Sequence, residues 1–185
     1  SDAYRNRPAI GYELSEALSS ASVIWQRTDG EEDVSSPHVV ALESLELSGG
    51  PHADSLLTND PFLKDGAIYD VQMVGIDSAG NVSDTVSVTG IIYDTTPPEL
   101  IVSYPIASTP TGNYDVAYSV SENLKSGEVI WEWSGGESDS AGHHVQPLSG
   151  NELVAGDHER ATIINSPPGL VEGAVYRVTI NVMDL

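Results

Sequence analysis

Cysteine is absent from these 185 residues, which excludes a disulfide framework and any thiolate metal site. Cationic side chains are scarce: 7 Lys and Arg stand against 28 Asp and Glu, a formal net charge of −21. Affinity for nucleic acid and for anionic lipid rests on Lys and Arg, so neither is an expected partner. No apolar run approaches the roughly 20 residues of a membrane span, so membrane insertion is not expected. No signal peptide opens the sequence, and any targeting signal is expected outside these residues. The Gly-x-Ser-x-Gly elbow of serine hydrolases is missing, and Gly49-Gly50 and Gly135-Gly136 read as turns, not as phosphate loops.

What is present is a chain that is 39% hydrophobic, enough for ordinary cores. Ile10–Leu14 alternates apolar and polar residues, the period of a half-buried strand. Further strands are predicted at Ser22–Arg27, His38–Leu42, Ser55–Leu57, Ala67–Ile76 and Val82–Tyr93, with breaks at Ser15–Ser20 and an acidic loop at Glu31–Asp33. Leu45–Gly50 allows one helical turn. Asp77–Asn81 has the composition of a hairpin turn, where Gly or Asn can take positive φ. Many short strands punctuated by Gly, Pro, Asn and Asp predict an all-β sandwich architecture.

The stretch Tyr93-Asp-Thr-Thr-Pro-Pro-Glu-Leu100 divides two copies of one text. Two adjacent prolines can neither continue a ladder nor start a helix, so the stretch reads as a short, stiff connector. Beyond it, Val116–Leu124 repeats Ile10–Leu18, Val129-Ile-Trp131 repeats Val23-Ile-Trp25, and His144 and His158 repeat His38 and His52. Asn165 and Pro167 fall on Asn59 and Pro61, and Glu172–Tyr176 repeats Asp65–Tyr69. The offset is 106, then 107 after one insertion. Two domains are therefore expected, 1–94 and 95–185. The second copy has a strand at Leu100–Tyr104 that the first lacks unless residues 1–8 supply it. The first has a return strand, 82–93, that the second lacks. The expectation is a slice from a longer tandem array, with an unpaired sheet edge near Ala174–Asp184.

The pattern Leu63-x-x-Gly66-x-x-Tyr69-x-Val71, closing on Asp77-x-Ala-Gly-Asn81 and followed by Asp94-Thr-Thr-Pro-Pro, resembles the Ig-like tandem repeats of large secreted bacterial adhesins. It is also similar to fibronectin type III and cadherin-like modules. The resemblance covers nearly the whole chain. It implies two tandem Ig-like antiparallel sandwiches, a secreted or cell-surface location, neighbouring repeats as partners, and calcium at domain junctions. It also implies that Trp25 and Trp131 are buried core residues, and that Tyr69 and Tyr176 return their hydroxyls to upstream backbone.

In that fold Glu16 and Glu122 sit in the loop after the first core strand, at the end that also carries Asp77, Asp184 and the incoming connector. Asp94, Glu122 and Asp184 are therefore expected to converge at the top of the second domain. The far end of the first would face them with Asp29, Glu31, Glu32, Asp33, Asp60 and Asp65. Converging carboxylates repel, and a hard cation with 6–8 oxygen ligands relieves them. Calcium held by Asp94, Glu122 and Asp184, with Glu16 and Asp77 at the equivalent place of the first copy, is the metal reading. The bland alternative is a solvated acidic surface.

His143 and His144, adjacent on a strand, point to opposite faces and make a poor chelate. Recurrence of the other histidines in both copies favours structural roles over zinc. Two function classes follow: a non-catalytic spacer or stalk of a large extracellular repeat protein, or a carbohydrate- or surface-binding accessory module. A glycan platform would need exposed aromatics, and the candidates are Trp133, Tyr104 and Tyr114. Trp133 lies two residues past Trp131 on one strand, so it is expected to pack inward.

Overall fold

Alternating apolar side chains and turn-forming breaks give strands and short 3₁₀ turns; no α-helix occurs among the described residues. The structure is a computed structural model that describes residues 4–107, 114–159 and 167–185. Asn165, matched to Asn59 in the repeat, lies outside them. The chain divides into two units, Ser1–Thr96 and Pro97–Leu185.

The first unit contains β1 (Tyr4–Arg5), β2 (Ile10–Leu14), β3 (Leu18–Gly30), β4 (His38–Ala41), β5 (Gly50–Ser55), β6 (Ala67–Asp77) and β7 (Val86–Tyr93). One sheet has the order β1-β7-β6-β3-β4 and the other is β2-β5. The second unit contains β8 (Leu100–Tyr104), β9 (Ala117–Val120), β10 (Leu124–Gly136), β11 (His143–Pro147), β12 (Gly156–His158) and β13 (Ala174–Asp184). Its sheets are β11-β10-β13 and β12-β9-β8. Each unit is an all-β, two-sheet arrangement of the sandwich type.

The sequence repeat is a repeat of register. Trp25 lies opposite Val71 in the β3–β6 ladder, and Trp131 lies opposite Val178 in β10–β13. Irregularities fall at matching places, Leu18/Ser20 with Leu124/Ser126 and Arg27/Asp29 with Trp133/Gly135. After the second irregularity each long strand ends in a glycine at φ +71°. A Cβ on Gly30 would sit 2.3 Å from the Gly66 carbonyl oxygen, and on Gly136 2.3 Å from that of Gly173. Only glycine fits this close approach of two backbones.

Trp25 and Tyr69 are the largest fully buried side chains of the first core, in an edge-to-face contact with centroids 6.2 Å apart. Trp131, Val129 and Tyr118 occupy the same place in the second. Tyr176 is only half-buried. The difference has a local cause: Tyr69 is covered by Ile91 of β7, whereas β13 has no outer strand among the described residues.

Several boundaries depart from the sequence reading. Leu18–Ser20 belongs to β3, because it pairs with Ile76 and Asp77 and the Ser19 hydroxyl donates to both of their carbonyls. The strand expected at Ser55–Leu57 is Gly50–Ser55 instead, since the Leu57 N–H leaves the ladder to donate to Asp60 Oδ1 at 2.8 Å. The helical turn is a short 3₁₀ segment, Ser44–Leu47. Residues Tyr4–Arg5 do form a strand, but it runs parallel to β7 and leaves the outer edge of β2 uncovered among the described residues.

Candidate functional site

Glu122 and Asp184 come together within the second unit, with carboxylate oxygens within 4.8 Å of one another. Glu122 stands in the bend between β9 and β10, and Asp184 closes β13 where that strand pairs with Leu124. The Asp184 carboxylate also accepts the Leu185 N–H at 2.7 Å. Two oxygens bound to one calcium at about 2.4 Å each can lie at most about 4.8 Å apart, so this donor pair fits a hard cation.

Asp94 belongs to the connector. Its N–H donates to the Arg5 carbonyl at 2.9 Å, and its Oδ1 accepts the Thr96 N–H at 3.1 Å. In the first unit Asp77 is engaged within its own hairpin. Its Oδ1 accepts the N–H groups of Ala79 and Asn81, both at 2.8 Å, and its Oδ2 accepts the Asn81 amide at 2.8 Å. The Asn81 side chain, followed by its backbone N–H, holds this carboxyl below the ordinary range. Glu16 is exposed, and Glu16 and Asp77 belong to no group of three metal-ligating side chains among the described residues.

Asp65, assigned above to an acidic far end, instead anchors the connector. Its Oδ1 accepts the Thr95 N–H at 2.6 Å and the Thr95 hydroxyl at 2.8 Å, and its Oδ2 accepts the Thr96 hydroxyl at 2.7 Å. The Thr95 N–H, then the two hydroxyls, hold its carboxyl low. On the other side, the Glu99 N–H donates to the Ser121 hydroxyl at 2.9 Å, and the Ser121 N–H returns to the Glu99 carbonyl at 3.0 Å. The connector is thus fastened to its own unit at each end, up to Pro97-Pro98. Asp29, Asp33 and Asp60 likewise accept hydrogen bonds inside the first unit.

A second polar arrangement went unread in the sequence. Asp33 Oδ2 accepts from the Tyr69 hydroxyl at 2.6 Å and from His38 Nε2 at 2.6 Å. The Tyr69 oxygen in turn accepts the Lys64 N–H at 2.8 Å. The second unit repeats it: Tyr176 reaches Asp139 Oδ2 at 2.6 Å, His144 Nε2 lies 2.7 Å from that oxygen, and the Val171 N–H donates to the Tyr176 hydroxyl at 2.9 Å. The tyrosine hydroxyls therefore do meet upstream backbone, as acceptors, while their protons go to a carboxylate. Burial pushes Asp33 upward, but the bonds from His38, Tyr69 and the Ser35 N–H outweigh it and hold the carboxyl below its usual range. Asp139 is held low by Tyr176 first and His144 second. Burial, then the Asp33 bond, pushes Tyr69 up to about 12. A carboxylate that accepts from a phenol and lies beside an imidazole is thus present once per unit, at matching positions.

The remaining paired histidines are structural too. His52 stacks on Tyr12 and His158 on Tyr118, at centroid distances of 4.4 and 4.5 Å, and each imidazole Nε2 lies 2.8 Å from a backbone carbonyl oxygen, that of Ser48 and of Val154. Trp133 is corrected: it is 40% exposed, not inward. Its indole N–H donates to the Glu137 carbonyl at 2.9 Å. Arg27 serves the equivalent carbonyl of Glu31 from Nε at 2.8 Å, so the two residues are alternative donors to one turn. Tyr104 is buried, and Tyr114 packs against the second core, so neither extends an aromatic platform beside Trp133.

A scan of this chain against protein-family models finds no match, and searches of the curated proteins and of the solved structures find none either.

Proposed function

We propose that this chain is a non-catalytic spacer segment of a large extracellular bacterial repeat protein of the adhesin kind, and that calcium stiffens the joint between its units. The observation that supports it best is the connector. Asp65 fastens its first half to one unit and Ser121 its second half to the other, so Pro97-Pro98 is the only span without such an anchor. Glu122 and Asp184 supply two ligand oxygens within the second unit, and Asp94 of the connector is the third ligand expected from the sequence. An ion held there would join the connector to the second unit, at the millimolar calcium levels that suit weak extracellular sites.

The duplicated Asp–His–Tyr arrangement supports this reading, because the Asp33 and Asp139 side chains are only 7% and 3% exposed and are engaged within the fold. Exposure of Trp133 favours a glycan-binding module. Its N–H is already engaged by its own turn, and it has no aromatic companion among the candidates, so the spacer reading is preferred. Small-angle scattering tests it. Addition of about 5 mM CaCl₂ should narrow the distribution of interatomic distances towards one extended form. A profile that calcium leaves unchanged, or that magnesium changes equally, contradicts it.

A further inference from the structure

The first unit has an opening that its counterpart closes. A cleft of about 420 Å³ runs along β2 and between the two sheets, with Ile10, Val71, Met73 and Val88 on its walls and Trp25 at its floor. Val88 is 54% exposed there, although it lies on a strand beside the core. In the second unit the strand equivalent to β2 is β9, and its outer edge carries β8: Leu100 lies opposite Val120, Val102 opposite Tyr118, and Tyr104 opposite Ala117. Leu100 packs on the second core and Tyr104 is 8% exposed, so β8 both completes a ladder and closes a side of the sandwich. Nothing among the described residues does this for β2, whose strand partner is β5 on its other edge.

We propose that this cleft is a docking site for an extended polypeptide segment of the β8 kind, laid antiparallel on the free edge of β2. Subtracting the repeat offset of 106 sets the register. The residue in the place of Leu100 faces Leu14, that of Val102 faces Tyr12, and that of Tyr104 faces Gly11. Main-chain hydrogen bonds to the exposed edge provide the attachment, and alternate apolar side chains fill the cleft. The lining carries Glu13, Glu16, Asp54 and Asp84 against Arg5 alone, so outward positions of the segment should be neutral or basic. That charge balance, and the −21 of the whole chain, disfavour a second copy as occupant.

The test uses the intact 185-residue chain and a synthetic peptide of the sequence Glu99–Tyr104 with two lysines added at each end. Hydrogen exchange read by mass spectrometry should show the Ile10–Leu14 amides slowed about tenfold at free peptide ten times its Kd. A scrambled peptide of the same composition should not protect them, and neither should one with proline in place of Ile101, whose N–H faces the partner strand in the β8–β9 ladder. The variant Val88→Asp, at an exposed position, should keep the melting temperature and weaken binding at least tenfold. Equal binding of the scrambled peptide, protection elsewhere than β2, or unchanged affinity of Val88→Asp overturns the proposal. So does protection of β2 without peptide, accompanied by a doubled mass in sedimentation, which would make a second copy the occupant.

Discussion

Removal of one oxygen, in Tyr69→Phe, tests the Asp–His–Tyr arrangement directly. The ring is fully buried and its packing against Trp25 is kept, so the change isolates the hydroxyl. Two hydrogen bonds go: the one donated to the ionised Asp33, and the one accepted from the Lys64 N–H. A bond to a charged group contributes about 1.5–3 kcal/mol and a stranded buried donor costs about 1 kcal/mol or more, so the loss is about 2–4 kcal/mol. A unit of this size has about 5–14 kcal/mol in all. At about 4–8 °C per kcal/mol, the first unit should melt about 8 °C lower or more, while the second keeps its own transition. Hydrogen exchange over 67–77 and over 174–184 separates the two. The effect also has a pH signature. Asp33 has a depressed folded-state pKa, so its stabilisation is fully present above about pH 4 and is lost as pH falls below the ordinary carboxylate range. The difference between wild type and variant should therefore shrink in acid, towards the pH-independent cost of the stranded Lys64 N–H. A loss under about 0.5 kcal/mol at neutral pH, or a difference that grows as pH falls, refutes the reasoning.

Trp25→Ala should cost about 3–5 kcal/mol by leaving a cavity in the first core, read by chemical denaturation; melting like that of wild type would remove Trp25 from the core. Asp65→Ala should free the connector, so that the Thr95 amide loses exchange protection while the β3–β6 ladder keeps its own; unchanged protection of Thr95 would remove the anchor. Tyr69 titrates at about 12 when folded and near 10 when unfolded, so the stability it supplies is complete below pH 10 and lost as pH rises from 10 to 12. Tyr69→Phe should lack that alkaline loss, and an identical alkaline profile in the variant would count against the assignment.

Much of the fold was legible because a duplicated text fixes equivalent positions without any contact information. The equivalence of Trp25 and Trp131, the correspondence of the β3–β6 and β10–β13 ladders, and the edge of β13 that no strand covers among the described residues follow from the 106 and 107 offsets. Features that depend on long-range polar partners were not legible. Nothing local marks Asp33 as the partner of Tyr69, 36 residues away. Asp139 recurs at the same offset, and that repeated Asp-x-x-x-x-His spacing was the available signal. Asp65 reads as one more surface acid until the connector is seen folded against it. Trp133 misled because it shares the face of Trp131, with regular pairing between the two, yet its indole N–H is taken by the turn at Glu137 and the ring stays 40% exposed. Glu122 and Asp184 meet because β10 pairs with β13, a contact the repeat implies but composition does not.

Under the proposed function calcium, and not charge screening, stiffens the joint. The direct measurement compares melting in about 5 mM CaCl₂, in equal MgCl₂, and in NaCl of matched ionic strength, for wild type and for Asp94→Asn with Glu122→Gln. With a Kd of about 10⁻⁴–10⁻³ M, calcium should add about 1–2.3 kcal/mol and raise the transition by several degrees. Screening would follow ionic strength whatever the ion. The expected result is a shift specific to calcium that the double substitution abolishes. A shift that magnesium or NaCl matches, or one that survives the double substitution, contradicts it.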